Sequence, residues 1–267
     1  MTGVTQFHFT IGPVQDFVAQ ARRTRDFWAG SFILAWLSAV AMKAVAKQGG
    51  SIQFPRPDSD FMAALETPET ANLPKQGTVP NRFMANVGPD FEPERIPEAV
   101  QAAWWALAEQ VWQGDGLGEI TGTEARAIWE RQVGGLWEIT WAMTEANDAS
   151  VLDRRKNWRS HRPPEEPGPK CHVMAGWQEL SGAERPGAGP TGFWDRLRNE
   201  VLSEGIRTDV REGEQLCAPA YIKRRLTRHF HTIDAEMPGG WRLRGWRLPS
   251  GVPSVATRPS ARTTTRS

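Results

Sequence analysis

The residues able to hold a metal or act as a nucleophile–base pair are few and scattered. Two cysteines, Cys171 and Cys217, join five histidines at positions 8, 161, 172, 229 and 231. Cys171 stands in PGPKCHVMAGWQEL. A zinc knuckle needs a second thiolate or imidazole two to four residues on, and position 174 is methionine. His172 is adjacent, and adjacent residues seldom grip one ion. His229 and His231 are two apart and would not share a helix face. No metal site is therefore expected at Cys171. The chain has no G-x-x-x-x-G-K-[ST] loop, no H-E-x-x-H and no G-x-S-x-G. No Asp-Asp turn is present to hold two magnesium ions, and Gly239-Gly240 runs into Trp241-Arg242. No catalytic residue is assigned. What remains is cationic: Arg22, Arg23 and Arg25; Arg154, Arg155 and Lys156; and Lys223, Arg224, Arg225 and Arg228. Two readings stand for each cluster. One is contact with phosphates; the other is a solvated helix face with local ion pairs, for which Asp26, Asp153 and Glu214 are at hand.

The elements that must position these residues follow from periodicity. Residues 4–11 alternate as a strand, stopped by Gly12-Pro13. Val14, Phe17, Val18 and Ala21 share a helical face. A second helix is expected from about Trp28 to Lys47, and the overlapping run Phe27–Met42 is sixteen residues without a charge. That is short of the ~20 residues a membrane span needs, so a buried helix is expected and no membrane partner. Short strands are expected at 51–54 and 81–87, a helix over 97–112, a capped helix from Thr121 to about Val133, and a strand over 136–143. The pattern is α+β, with a small antiparallel sheet carrying helices on one face. Beyond residue 144 the chain is helical and Pro/Gly-rich, with helices near 148–158, 193–203 and 213–230. The domains read as 1–146, a helical linker over 147–240, and a basic tail over 241–267, disordered from Pro249. The tail holds six arginines and no acid, leaving 26 basic against 31 acidic residues in 1–240, a net −5 beneath an overall +1. Thirteen tryptophans lie mostly in periodic segments, where core packing is the favoured reading over base stacking. Two cysteines in 267 residues exclude a disulfide-rich secreted fold.

The run FTIGPVQDFVAQARRTRDFWAGSFILAWL, Phe9 to Leu37, closely resembles the start of the first palm-like domain in the large subunit of type III CRISPR effectors, the Cas-ten family, in its Cmr-two (type III-B) branch. Similar segments follow in order: Pro80-Asn81-Arg82-Phe83, Trp129 through Trp141, Pro167 to Gly176, Gly213-Glu214-x-Leu216-Cys217 with Lys223-Arg224, and Pro249 to Ala256. The resemblance implies a ferredoxin-like palm followed by a helical linker, a cytoplasmic location and a part in RNA-guided antiviral defence. It also implies ATP shared with a second palm, and other effector subunits and guide RNA as partners. Gly12, Gln15, Arg22, Arg25 and Ser31 are the residues it suggests for nucleotide contact. Lys223, Arg224, Arg225 and Arg228 are those suggested for RNA or subunit contact. The family makes cyclic oligoadenylates with a Gly-Gly-Asp-Asp turn in its second palm, and often carries an N-terminal HD nuclease. Neither segment is found in this sequence, so no catalysis is expected of the chain alone. The alternative expectation is a non-catalytic scaffold docking onto effector subunits or guide RNA. Zinc is doubtful at a knuckle where Met174 stands in place of a thiolate.

Overall fold

The structure is a computed structural model describing residues 5–120, 123–145, 150–152, 165–201 and 203–248. Strand β1 (Thr5–Gly12) places Phe7, Phe9 and Ile11 on one face by strict alternation. It pairs antiparallel with β3 (Arg82–Val87) on one side and β4 (Glu138–Thr144) on the other. Edge strand β2 (Ser51–Phe54) joins β3, giving the order β2-β3-β1-β4. Phe9 sits opposite Phe83 and Trp141, so the apolar faces of three strands coincide. The connections between strands are helical, except that β2 and β3 are joined by a loop holding α3 (Ser59–Ala64). The sequence order βαββαβ on an all-antiparallel sheet is the split βαβ, ferredoxin-like arrangement, as expected.

Helix α2 (Thr24–Lys47) is apolar on nearly every side, because neighbours meet it on every side. Beyond the sheet it touches α4 (Arg95–Gly114) and α9 (Ala218–His229). Among the described residues it alone is long and apolar enough to cross a membrane, and most of it is buried inside this fold. Gly30 explains part of its small-residue stretch. A Cβ there would lie 3.2 Å from the Val18 Cα and 3.4 Å from the Lys223 Cδ, so glycine lets two other segments close onto the helix. Asp58 caps α3 by accepting from the Asp60 and Phe61 N–H groups at 3.0 and 3.1 Å. After α5 (Leu117–Ile120), α6 (Thr123–Gly135) leads into β4, and the Trp104 indole donates to the Val133 carbonyl at 2.9 Å.

Several boundaries differ from expectation. The helix expected after Pro13 is a single turn, α1 (Gln15–Val18), because Ala21 and the following Arg22–Arg23 turn away to start α2. In the second half, α7 (Ala188–Glu200) and α8 (Ile206–Asp209) precede α9. Residues 241–248, expected to open the basic tail, are ordered into the fold. Strand β6 (Trp241–Arg244) pairs with β5 (Asp234–Met237) across Gly239 and Gly240, whose positive φ values of 92° and 75° form the hairpin turn. The Arg154–Lys156 cluster, most of the 148–158 helix, Thr121 of the proposed cap and the segment from Pro249 lie outside the described residues.

Among the described residues the tryptophans pack in the core or against it. Trp36, Trp104, Trp129, Trp194 and Trp246 are fully buried. Phe32 of α2 lies among Phe61, Phe230 and Trp246 at 5.5–5.8 Å, largely edge to face. This cluster ties the chain's end to its beginning. Phe230→Ala should lower the unfolding free energy by about 3–5 kcal/mol. Urea unfolding followed by far-UV circular dichroism and by tryptophan fluorescence should show one coincident, earlier transition.

Candidate functional site

Helix α9 carries Lys223, Arg224 and Arg225 in succession, about 100° apart around its axis, so they leave in three directions. Their neighbours Tyr221, Ile222 and Leu226 are fully buried, and the three cations are buried with them. Lys223 donates to the Phe17 and Gln20 carbonyls at 2.7 Å each, closing the end of α1. Its ammonium also sits 4.9 Å from the centre of the Phe17 ring. Arg224 holds Asp26 through two bonds of 2.7 and 2.9 Å and reaches Glu214 at 2.8 Å. Arg225 grips both oxygens of Asp115 at 2.8 Å and one of Asp209 at 2.6 Å. Asp115 also accepts from the Tyr221 hydroxyl at 2.7 Å and lies 2.8 Å from His229 Nε2. Gly114 leaves room for that imidazole, since a Cβ there would come within 2.5 Å of it.

The electrostatics follow from burial opposed by pairing. Burial pushes the Asp115 carboxyl up, but hydrogen bonds from His229 and Arg225 outweigh it and hold the group well below the usual carboxylate range. Glu214 is likewise held low against burial by Arg224 and the Arg211 N–H. Burial acts to lower Arg224 and Arg225, yet Glu214 with Asp26, and Asp115, raise them. Lys223 is different: it faces carbonyl oxygens, and burial lowers it to about 8 despite Asp26.

This corrects the expectation that Lys223, Arg224, Arg225 and Arg228 offer a surface to RNA or a subunit. The first three are internal and spend their donors inside the fold. Arg228, 27% exposed, is paired with Glu204 and Asp209. The local ion-pair reading also changes. Arg25 binds Asp209 at 2.6 Å rather than Asp26, which Arg224 occupies. Asp115 and Asp209 carry no sequence signal, being 110 and 16 residues from Arg225. The signal available for α9 was its cations set among Tyr221, Ile222 and Leu226 with no acid interleaved, a pattern of burial rather than solvation.

At the surface this network opens into a groove of about 360 Å³ lined by Arg22, Arg23, Arg211, Glu212, Gly213 and Glu214. Arg22 and Arg211 are exposed. Arg23 is half-buried and bonded to Glu214 at 3.0 Å. Its own ionisation is lowered by burial and by Arg224, Arg211 and Arg25, with Glu214 opposing, so guanidinium groups crowd here. The lining thus sets three guanidinium groups against two carboxylates, the exposed Glu212 and the paired Glu214, and leaves a net positive charge that favours an anion. Of the residues expected at a nucleotide, Arg22 lines the groove. Gly12 is buried at the end of β1, Gln15 is exposed on α1, and Ser31 is half-buried on α2. The Gly12–Pro13 turn does not supply a helix N-terminus for phosphate, since α1 is one turn long. Asp26 occupies the first turn of α2, accepting from the Arg22 N–H at 3.3 Å.

The knuckle residues do not fit zinc. Cys171 meets Cys217, but Met174 is buried beside them and the His172 ring accepts the Gln215 N–H at 3.4 Å. No group of three potential ligands occurs among the described residues.

Residues 6–111 match the family described as CRISPR-associated protein Cmr2, N-terminal. The match runs from β1 into the last turn of α4. No curated protein matches the chain.

Two measurements probe the charged core. Arg225→Met removes the buried cation shared by Asp115 and Asp209, leaving them only their remaining partners, and should lower stability by about 3–5 kcal/mol, whereas Arg196→Met, losing an exposed pair with Glu200, should cost below about 1 kcal/mol. Lys223, lowered from 10.5 to about 8, is protonated in the unfolded chain but not the folded one between those pH values. Its contribution to stability therefore rises with pH through that window, by roughly 3 kcal/mol in all. The wild type minus Lys223→Met difference in urea midpoint, taken from pH 7.5 to 10.5, should show that rise.

Proposed function

We propose, from the match of residues 6–111 to the family described as CRISPR-associated protein Cmr2, N-terminal, that the chain serves as the first palm of a type III-B, RNA-guided antiviral effector, holding nucleotide phosphates without performing their chemistry. The observation that carries this reading is the arginine-lined groove beside the β1–α2 connection. Among the described residues, Arg22 and Arg211 are its exposed cations without an ion-pair partner, and Arg23 is paired with Glu214. Guanidinium groups suit phosphate oxygens, which accept their N–H bonds in pairs. The ligand favoured is ATP, whose triphosphate would occupy the groove.

Nucleotidyl transfer needs carboxylates free to hold metal ions. Here Asp26, Asp115, Asp209 and Glu214 are each committed to guanidinium groups, which supports a binding role for this chain rather than a metal-holding one for these four acids. Docking onto other effector subunits is the second reading, supported by Phe54, which is 73% exposed on edge strand β2.

The test is ATP binding to the full chain by calorimetry, with single-stranded RNA as the competing ligand. Arg22→Ala combined with Arg211→Ala should weaken ATP binding at least about tenfold, each lost charge-assisted contact being worth ~1.5–3 kcal/mol. Salt-sensitive RNA binding with no ATP binding would move the reading to guide RNA. Binding of neither would leave docking.

A further inference from the structure

Two thiols that stand 46 residues apart in sequence meet in the interior, and the ion-pair network uses neither. The meeting is built by backbone pairing. The Cys171 N–H donates to the Trp177 carbonyl at 2.8 Å, and the His172 N–H to the Gln215 carbonyl at 2.8 Å. The Leu180 N–H then bonds the Leu216 carbonyl at 3.1 Å. These bonds lay the 170–180 loop along Gln215 and Leu216 and so bring Cys171 near Cys217, the residue before α9, where the two thiols interact. Both are free and buried. The Cys171 sulfur accepts the Val173 and Met174 N–H groups at 3.4 and 3.3 Å, which favours its thiolate. Burial acts against that form, but the Cys217 thiol and these N–H groups lower Cys171 to about 7. Burial and the neighbouring Cys171 raise Cys217. The Lys223 ammonium lies close enough to be stabilised by both sulfurs.

We propose that Cys171 and Cys217 are a reversible dithiol–disulfide pair, with Cys171 as the attacking thiol and Cys217 as the resolving one. The oxidant is a small disulfide such as oxidised glutathione. The Cys171 thiolate attacks one of its sulfurs, forming a mixed disulfide and expelling one glutathione thiolate. Cys217 gives up its proton, and its thiolate attacks the Cys171 sulfur. The internal S–S bond forms and the second glutathione thiolate leaves. The two protein protons end on the two released glutathione molecules, so the protein loses two electrons and the oxidant gains them. The product staples the 165–181 loop to the start of α9.

The experiment treats the full native chain with excess oxidised glutathione, quenches with acid, and counts thiols after denaturation. The expected result is a fall from two thiols to none, with no retained glutathione and a mass lower by two hydrogens. One proteolytic peptide pair should then be linked through Cys171 and Cys217. Closing this loop should raise the thermal midpoint by about 5–10 °C, and dithiothreitol should reverse it. Cys217→Ser should instead retain one glutathione on Cys171. Two thiols persisting on the wild-type chain, or two separate glutathione adducts, would overturn the proposal. Both readouts are made on the wild type, so they stand even if the variant fails to fold.

Discussion

Three consecutive cations on α9, buried at the centre of the molecule, are the constraint around which the rest is arranged. An unpaired buried charge is among the costliest features a fold can carry. Each cation therefore dictates what must surround it. Arg224 requires Asp26 from the first turn of α2 and Glu214 from the loop before α9. Arg225 requires Asp115 from the end of α4 and Asp209 from α8. Lys223 requires the carbonyl oxygens that α1 leaves free at its end. Five separate segments are thus fixed to one helix, and the fixing is directional in a way that apolar packing is not. A pair of this kind adds little net stability over an apolar replacement of the same shape, but removing one member leaves a stranded charge. We read the network as selecting the arrangement of the second half on the sheet domain, with aromatic packing supplying the stabilisation.

The same network shapes the candidate site. The bidentate Arg224–Asp26 pair occupies the carboxylate at the start of α2 and leaves Arg22 free at the surface. Glu214 is shared between Arg224 and Arg23, so it offsets less of the positive charge at the groove than an unshared carboxylate would. The two thiols sit at the N-terminal end of the same helix, where the loop that carries Cys171 reaches Cys217. Anchoring α9 and shaping the groove are two effects of one element.

The sheet domain was legible in the sequence because its signals are local. Alternation in Thr5–Gly12, the apolar run of α2, the stripe Val100, Trp104, Leu107 and Val111 of α4, and the run Phe9 to Leu37 are all read within a few turns of chain. Arg22 as a candidate contact came from that run. So did Gly12, Gln15, Arg25 and Ser31, yet Arg22 is the one that lines the groove. Its companion Arg211 lies 189 residues away with no local pattern to mark it.

Sequence by itself determined the α+β class, the order of strands and helices in the first half, the buried nature of the long apolar helix and the family likeness. Each depends on spacing between near neighbours, which the backbone period converts directly into a shared face. The tertiary structure alone decided the fate of the charges. Whether Lys223, Arg224 and Arg225 meet water, RNA or carboxylates depends on which acids arrive beside them, and Asp115 and Asp26 come from 110 and 198 residues away. The meeting of Cys171 with Cys217 has the same origin. Charge and thiol chemistry are set by what lies within a few ångströms in space, and a one-dimensional pattern carries that distance only for residues close along the chain.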